Sequence, residues 1–399
     1  MTREVALARL AGAEWLDKVR PVFDCLGGGG LTRAVGGIVR DTLIGRVRDV
    51  ADIDMATVLL PDEVAARGAA AGFAVHHTGV AHGTVTLVHG GQPVEVTTLR
   101  RDVETFGRHA SVAFGTDWAE DARRRDFTMN ALYCGPRGDL FDPLGGLNDC
   151  LAGRVRFIGD PDERIAEDRL RVYRYFRFAV SHGGERFEVP ALAACARAVG
   201  TLDILSAERV GSEMMRLLAA PNCARTLETM REVGVLDGSL FSDSALTNLR
   251  ALETGEGSIE AATRLAMVAV SGGDVGALRA AWRLSNATMA RIAAIEAAAE
   301  MARGDRWSEL AYRQPDAAEA GIAVTAAVEG EAFSWIEEAR EAVTARRGRS
   351  FPITGKDLIG LGLASGPALG TLLHRLETAW IESDGALDRE QLLEMATDQ

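Results

Sequence analysis

Apolar residues in the first third of the chain fall at every second position or in short β-branched runs. Over most of the remainder they recur at every third or fourth position. The first pattern is that of strands and the second that of amphipathic helices. Residues 31–35, 53–60, 73–77, 84–89 and 94–98 read as strands, and Gly90-Gly91 predicts a tight hairpin turn between the last two. Residues 38–44 begin a helix directly after Gly36-Gly37. Residues 61–71 form an alanine-rich helix with Pro61 in its first turn. The two sets together predict a mixed sheet with helices packed on it. The texture changes near Gly135, where Asp142-Pro143 and Gly145-Gly146 mark loops. From Ile165 onward strand signals almost vanish, and Ala, Leu, Glu and Arg at helical spacing continue to the end. Breaks fall near Pro221, Gly255 to Gly257, Gly272-Gly273 and Gly348 to Pro352. No internal repeat has a fixed period. The expected class is α+β: an N-terminal domain of mixed sheet and helices, followed by an extended all-helical arm.

Length and composition narrow the field without naming a function. A chain of 399 residues predicts two to four domains. Its 47% hydrophobic and 25% charged residues are ordinary for a globular protein. No apolar run is long enough to cross a bilayer, and residues 1–26 lack the basic start and apolar centre of a signal peptide. A cytoplasmic location is therefore expected. The five cysteines, Cys25, Cys134, Cys150, Cys195 and Cys223, are scattered with no CxxC pair. That spacing speaks against a zinc site and for reduced thiols.

The net charge of −13 argues at first against a nucleic-acid partner. Its distribution weakens the objection. Only Lys18 and Lys356 are lysines, so nearly all the positive charge is arginine. Arginines cluster at Arg123-Arg124-Arg125, between Arg164 and Arg177, and at Arg346-Arg347-Arg349. Local patches of guanidinium can hold phosphates on an acidic protein. For the last cluster, solvated helix faces neutralised by nearby acids are the simpler expectation.

Three segments carry candidate chemistry. In Gly36-Gly37-Ile38-Val39-Arg40-Asp41 a double glycine leaves a strand and enters a helix. The turn lets backbone approach a phosphate, the helix offers free N–H groups, and Arg40 can add charge-assisted bonds. In Asp52-Ile53-Asp54 two carboxylates one residue apart on a strand share a face, which suits a divalent metal held against a triphosphate. Paired metals could lower the barrier to a 3′-hydroxyl attacking an α-phosphate and stabilise the leaving pyrophosphate. Glu95, on the strand at 94–98, is a third candidate carboxylate; a surface strand edge with solvated acids explains the pair equally well. In Arg124-Arg125-Asp126-Phe127-Thr128-Met129-Asn130-Ala131, Arg125 could clamp phosphate, Asp126 could accept from a ribose hydroxyl, and Asn130 could brace the sugar or the fold.

A fourth segment, Glu167 to Phe178, reads as one helix with an acid–base stripe of Glu167, Asp168, Arg171 and Arg174. An Asp–Arg pair there could present a donor–acceptor edge to a nucleobase. An ordinary ion-paired helix face is the competing reading.

In this order and at these spacings, the four segments resemble the class II tRNA nucleotidyltransferases, the bacterial CCA-adding enzymes, and the related bacterial poly(A) polymerases. Ser206-Ala207-Glu208-Arg209, residues 352–358 and Gly366-Pro367 look like later elements of the same family, so the resemblance spans nearly the whole chain. It implies a nucleotidyltransferase head (1–150), a base-reading helical neck (151–220), an RNA-binding helical body (221–330) and a tRNA-binding helical tail (331–399). It implies that Asp52 and Asp54 bind Mg2+, and that Gly37, Arg40 and Arg125 contact incoming CTP or ATP. Asp168 and Arg171 would read the base edge, supported by Arg174 and Arg177. The activity implied is untemplated addition of CCA to tRNA 3′ ends with release of pyrophosphate. The His-Asp cluster of members with a C-terminal phosphohydrolase is missing. Residues 102–114 look like the head loop that switches from C to A addition. A poly(A) polymerase or an A-adding specialist would use the same residues, although no large basic extension favours poly(A) synthesis. A non-catalytic RNA-binding module is the rival of another class.

Overall fold

In the computed structural model, residues 2–46, 53–79, 83–101, 113–255 and 257–397 are described. Strand β1 (Thr32–Val35) follows helices α1 (Arg3–Ala11), α2 (Trp15–Leu26) and a short α3 (Gly28–Leu31). It leads through the double glycine into α4 (Gly37–Ile44). After β2 (Ile53–Thr57) come α5 (Pro61–Ala70) and strands β3 (Ala74–Gly79), β4 (Thr84–His89) and β5 (Gln92–Thr98). The expected strands and helices are therefore present, with ends shifted by one to three residues. Gly90 and Gly91, at φ 57° and 80°, make the two-residue turn that joins His89 to Gln92.

Strands β6 (Arg100–Arg101) and β7 (Ala113–Phe114) form a small separate ladder. Helix α6 (Trp118–Arg123) precedes β8 (Tyr133–Cys134) and β9 (Leu140–Phe141), which complete a seven-stranded sheet in the order β3-β4-β5-β2-β1-β8-β9. The central pair β2–β5 is parallel and its other pairs are antiparallel. On β2, Ile53 and Met55 are buried on one face while Asp54, between them, is exposed on the other. Val35, Ala56, Leu99, Ala122, Ala131 and Tyr133 form a buried cluster at that end of the sheet.

Helices α7 (Gly146–Ala152), α8 (Pro161–Glu167), α9 (Arg171–Ser181) and α10 (Val189–Ala198) finish the first of two compact units, Met1–Leu205. The continuous helix expected from Glu167 to Phe178 is broken. Asp168 is extended (φ −144°, ψ 104°), and its Oδ1 accepts from the Leu170 amide, so it ends α8 and leads into α9. Burial along α9 falls on Val172, Tyr175, Phe176, Phe178 and Ala179, with Phe127 and Phe157 among their ring contacts.

The second unit, Ser206–Gln399, is all helix in its regular structure among the described residues, from α11 (Ala207–Leu218) to α22 (Arg389–Thr397). Most of its breaks fall at proline or glycine; α15 (Val275–Trp282) instead ends on Arg283 in a left-handed conformation (φ 50°). Close helix packing explains Gly321 on α18 (Ala318–Glu329): a Cβ there would lie 2.5 Å from that of Ala298 on α16 (Asn286–Arg303). A buried arginine sits at the centre. Arg264, fully buried on α14 (Ala261–Val270), donates to the carbonyls of Leu218, Ile259 and Pro221 and pairs with Glu253 at 3.1 Å. The Arg346–Arg349 cluster is likewise bonded inward: Arg346 and Arg349 pair with Asp384, and Arg347 donates to the Pro315 carbonyl. Among the described residues no helix is long and apolar enough to cross a membrane.

Candidate active site

Gly36 sits at φ +72°, ψ −122°, a conformation closed to most L-residues, and it caps α4. A Cβ at this point would stand 3.7 Å from Nη1 of Arg125, so the turn and that guanidinium are neighbours. Arg125 is held from behind. Its Nε donates to the Tyr133 hydroxyl at 3.2 Å and its Nη2 to Asp121 at 3.4 Å, while Tyr133 donates to Asp121 at 2.9 Å. Burial alone would weaken the charge on Arg125, but Tyr133 and Asp121 outweigh it and raise its pKa. The same burial, reinforced by Asp121, pushes the Tyr133 phenol above its ordinary range.

Asp54 lies on the sheet face opposite Ile53 and Met55. Its Cα partner on parallel strand β5 is Glu95, and both side chains are exposed. Neighbouring strands run about 4.8 Å apart and paired positions share a face, so the two carboxylates stand side by side. A cavity of about 450 Å³ opens over this face, lined by Val35, Asp54, Met55, Thr97, Arg100, Asp121, Arg124, Arg125 and Arg171. Four arginines line it together with Asp54 and with Asp121, which is paired to Arg125. With four guanidinium groups to two carboxylates, such a cleft attracts a polyanion. Crowding is felt: burial, then the charge of Arg124, lowers the pKa of Arg100. Among the described residues no group of three or more His, Cys, Asp or Glu is assembled to hold a metal. Asp52 lies outside the described residues, as does most of the 102–114 segment.

The expected site residues divide into two layers. Asp54, Arg125 and Arg171 line the cavity, and Gly36 and Gly37 form the turn beside Arg125. Arg40, Asp126 and Asn130 do not line it. They are buried in a layer beneath it. Arg40, expected to reach a phosphate, donates to its neighbour Asp41 at 2.8 Å and to Asn130 at 2.5 Å. Asp126, expected to accept from a ribose, instead takes two bonds from Arg174 (2.8 and 2.5 Å), one from Asn130 (2.9 Å) and one from the Phe127 amide (2.8 Å). Burial works to raise its pKa, but Arg174, Asn130 and that amide hold it below the usual carboxylate range. Asn130 thus braces the fold. Asp168, Arg174 and Arg177 also lie off the described cavity lining. Arg40, Arg174 and Arg177 surround the Phe178 ring at 4.2 to 5.6 Å from its centroid.

Sequence reasoning missed Asp121, Tyr133, Arg100 and Arg164. Arg164 is buried on α8. Its Nη2 donates to the carbonyls of Arg124 (2.8 Å) and Arg125 (3.2 Å), and Arg171 donates to the same Arg124 carbonyl at 3.0 Å. Glu167 bridges Arg164 and Arg171, both at 2.6 Å. The arginine-rich strip on 123–125 is therefore fastened through its backbone to helices α8 and α9.

Residues 32–156 match the "Poly A polymerase head domain", and residues 187–240 match the "Probable RNA and SrmB- binding site of polymerase A". The chain is 31% identical over 385 residues to the mitochondrial CCA tRNA nucleotidyltransferase 1 of Danio rerio, covering 90% of this chain and 86% of that protein. It belongs to the CCA tRNA nucleotidyltransferase family. Within that family it is 30% identical over 354 residues to the CCA-adding enzyme of Listeria monocytogenes, covering 86% of this chain and 88% of that one. The structure of the Bacillus stearothermophilus CCA-adding enzyme in complex with CTP superposes with a TM-score of 0.76 at 28% identity, covering 97% of each chain. A Thermotoga maritima CCA-adding enzyme complexed with tRNA shares the fold, with a TM-score of 0.66 at 20% identity.

Proposed function

We propose that this protein adds C, C and A to tRNA 3′ ends from CTP and ATP, without a nucleic-acid template, releasing pyrophosphate. The observation that carries the reading is the cavity in which Asp54 faces Arg100, Arg124, Arg125 and Arg171 in a member of this family. Arg100, Arg124 and Arg125 bind the triphosphate. Their positive charge is matched to its negative charge, and the backbone fastening of 124–125 presets their positions. The Gly36-Gly37 turn lets phosphate oxygens approach the amide groups that open α4. Arg171 faces the base, with Asp168 supplying the acceptor side of the edge, so the protein itself selects cytosine or adenine. Asp126, Asn130 and Arg40 act from below by holding Arg174 and the glycine turn in register.

The donor set suits magnesium. Asp54 and Glu95 are hard oxygen ligands, exposed and side by side, and a magnesium ion prefers a few carboxylates together with substrate phosphates. In this proposal Asp52 and Asp54 are the main ligands and Glu95 an additional one. Bound there, the metal would polarise the α-phosphate and favour the ionised 3′-hydroxyl. The helical residues 151–220 serve base reading, 221–330 RNA binding and 331–399 tRNA binding. A cytoplasmic location is part of the same proposal, supported by five cysteines that are all free thiols.

The test uses tRNA transcripts ending at the discriminator base, at C and at CC, with CTP, ATP and magnesium, resolved on a sequencing gel. Completion to CCA on all three supports the proposal. A single A added only to the CC substrate would make it an A-adding specialist. Long A tails would favour the poly(A) reading that the head-domain match leaves in play. No addition in any lane would point to a non-catalytic RNA-binding module.

A further inference from the structure

Besides the Arg171 bond to the Arg124 carbonyl at its start, helix α9 is tied to the buried layer around Asp126 and Asp41 at two points eight residues apart. At the first, Arg174 grips Asp126, which accepts from Asn130, whose Oδ1 accepts from Arg40, which in turn donates to Asp41. At the second, His182 caps the far end of the helix, and its Nε2 lies 3.0 Å from the same Oδ1 of Asp41 that Arg40 engages. A carboxylate only accepts, so Nε2 carries the proton and donates. Nδ1 lies 2.7 Å from the Ser181 hydroxyl. The side chains of His182, Asp41 and Arg40 are only 6%, 3% and 4% exposed. These groups close a ring that runs from α9 through Asp126, Asn130, Arg40 and Asp41 back to α9. Asp41 stands in the helix that Gly36-Gly37 opens, and Arg171, on the first turn of α9, lines the cavity.

We propose that His182 is a positioning residue for nucleotide selection: by bonding Asp41 it fixes the register of α9 against α4, and so the place of Arg171 relative to the phosphate-binding turn. The inference rests on the nucleotidyl-transfer reading above. The bonds of Arg171 to the Arg124 carbonyl and of Arg174 to Asp126 hold the N-terminal half of α9; the His182–Asp41 bond holds its C-terminal end against α4, so the helix cannot swing about those two contacts. No atom of His182 reaches the cavity lining, so it acts only through Asp41 and the helix. A small pivot is enough to matter, because misplacing a recognition group by about 1 Å costs on the order of a hundredfold in rate.

The experiment compares wild type with His182→Ala, His182→Gln and Asp41→Asn in the full chain. The Gln side chain can place an N–H near the Nε2 position, and Asn at 41 keeps the accepting oxygen. Steady-state transfer to tRNA ending in C is measured with CTP and with ATP. CTP binding is measured by equilibrium dialysis, which needs no turnover. For His182→Ala the expected result is a rise in the CTP KM and Kd on the order of tenfold, with a fall in discrimination between CTP and ATP. His182→Gln should recover most of both losses. A role in folding alone would lower the active fraction while leaving KM, Kd and discrimination unchanged, and that outcome overturns the proposal. If the Ala variant fails to fold, His182→Phe, which fills the space without an N–H, replaces it, and a Kd and discrimination in that variant equal to those of wild type, His182→Gln and Asp41→Asn overturn the proposal as well. Absence of transfer by wild type would count against the enzymatic reading, while the dialysis result would still judge the role of His182.

Discussion

Lowering the pH should loosen the contact between α4 and α9 through one group. Burial, against the partly opposing bond to Asp41, pushes His182 down to about 4 from the ordinary 6.5. The groups facing it are Asp41, Arg40, Arg46 and Ser181. The folded protein therefore holds a neutral imidazole where the unfolded chain, below pH 6.5, takes up a proton. Stability conferred by the neutral form is complete above pH 6.5, falls as the pH drops through that value, and is fully lost below about 4. Linkage over this interval gives a loss of about 2 kcal/mol between pH 8 and pH 5, and about 3 kcal/mol in all. Buried carboxylates such as Asp126, whose pKa is lowered, also lose stabilisation in acid, but at lower pH and equally in a His182→Gln variant. The difference between the two proteins isolates the histidine. Urea unfolding at pH 8, 7, 6 and 5, followed by hydrogen-exchange mass spectrometry of peptides covering 37–44 and 171–181, reads this unit alone. Wild type should lose about 2 kcal/mol more than His182→Gln by pH 5. Parallel pH curves for the two would refute the assignment of a buried neutral imidazole.

Other perturbations separate the layers of the site. Asp54→Asn should reduce transfer by about a thousandfold or more while filter binding of tRNA persists, and EDTA should stop the wild-type reaction until magnesium is restored; transfer near the wild-type rate in the variant would remove Asp54 from the chemistry. Gly36→Ala should strain the turn by about 1–3 kcal/mol through its positive φ, with Arg125 at ordinary contact distance, raising the nucleotide KM; an unchanged KM would show that the turn adapts. Arg264→Met should destabilise the second unit by about 3 kcal/mol, since it takes the donor from three carbonyls and leaves the Glu253 charge with only the Cys223 and Ala224 amides, and a urea midpoint equal to wild type would contradict that account.

What could be read in the sequence was whatever local pattern decides. Alternation marked β4 and β5, and Gly90-Gly91 marked their turn. The double glycine before Ile38 marked the phosphate-side helix end. Strands β8 and β9 were illegible because two residues each carry no period. The break at Asp168 was hidden because Glu167 to Arg171 contains good helix formers; the bond from the Leu170 amide to Asp168 and the clamp of Arg164 decide against continuity. Partners far apart in sequence were hidden for the same reason. Nothing beside Arg40 announces that its partner is Asn130, ninety residues on, or that His182 will find Asp41. Arg264 shows the limit of charge as a guide, because in an arginine-rich chain a core guanidinium looks like any other. The resemblance of the ordered segments to a family supplied what local pattern could not.

The parallel pairing of β2 with β5 has a consequence for how the protein acquires its activity. Asp54 and Glu95 are neighbours in space, yet the chain must complete α5, β3, β4 and the hairpin turn before they meet. Arg171 joins the same cavity only after 76 further positions, counting from Glu95. Closing such long loops is entropically slow, whereas helices and the β4–β5 hairpin form within microseconds. During refolding, helical signal should therefore return well before nucleotide binding. On the ribosome, a nascent chain that has not yet exposed α9 would carry the carboxylates and the glycine turn but no selective pocket, so base discrimination is gained only after the parts that hold metal and phosphate.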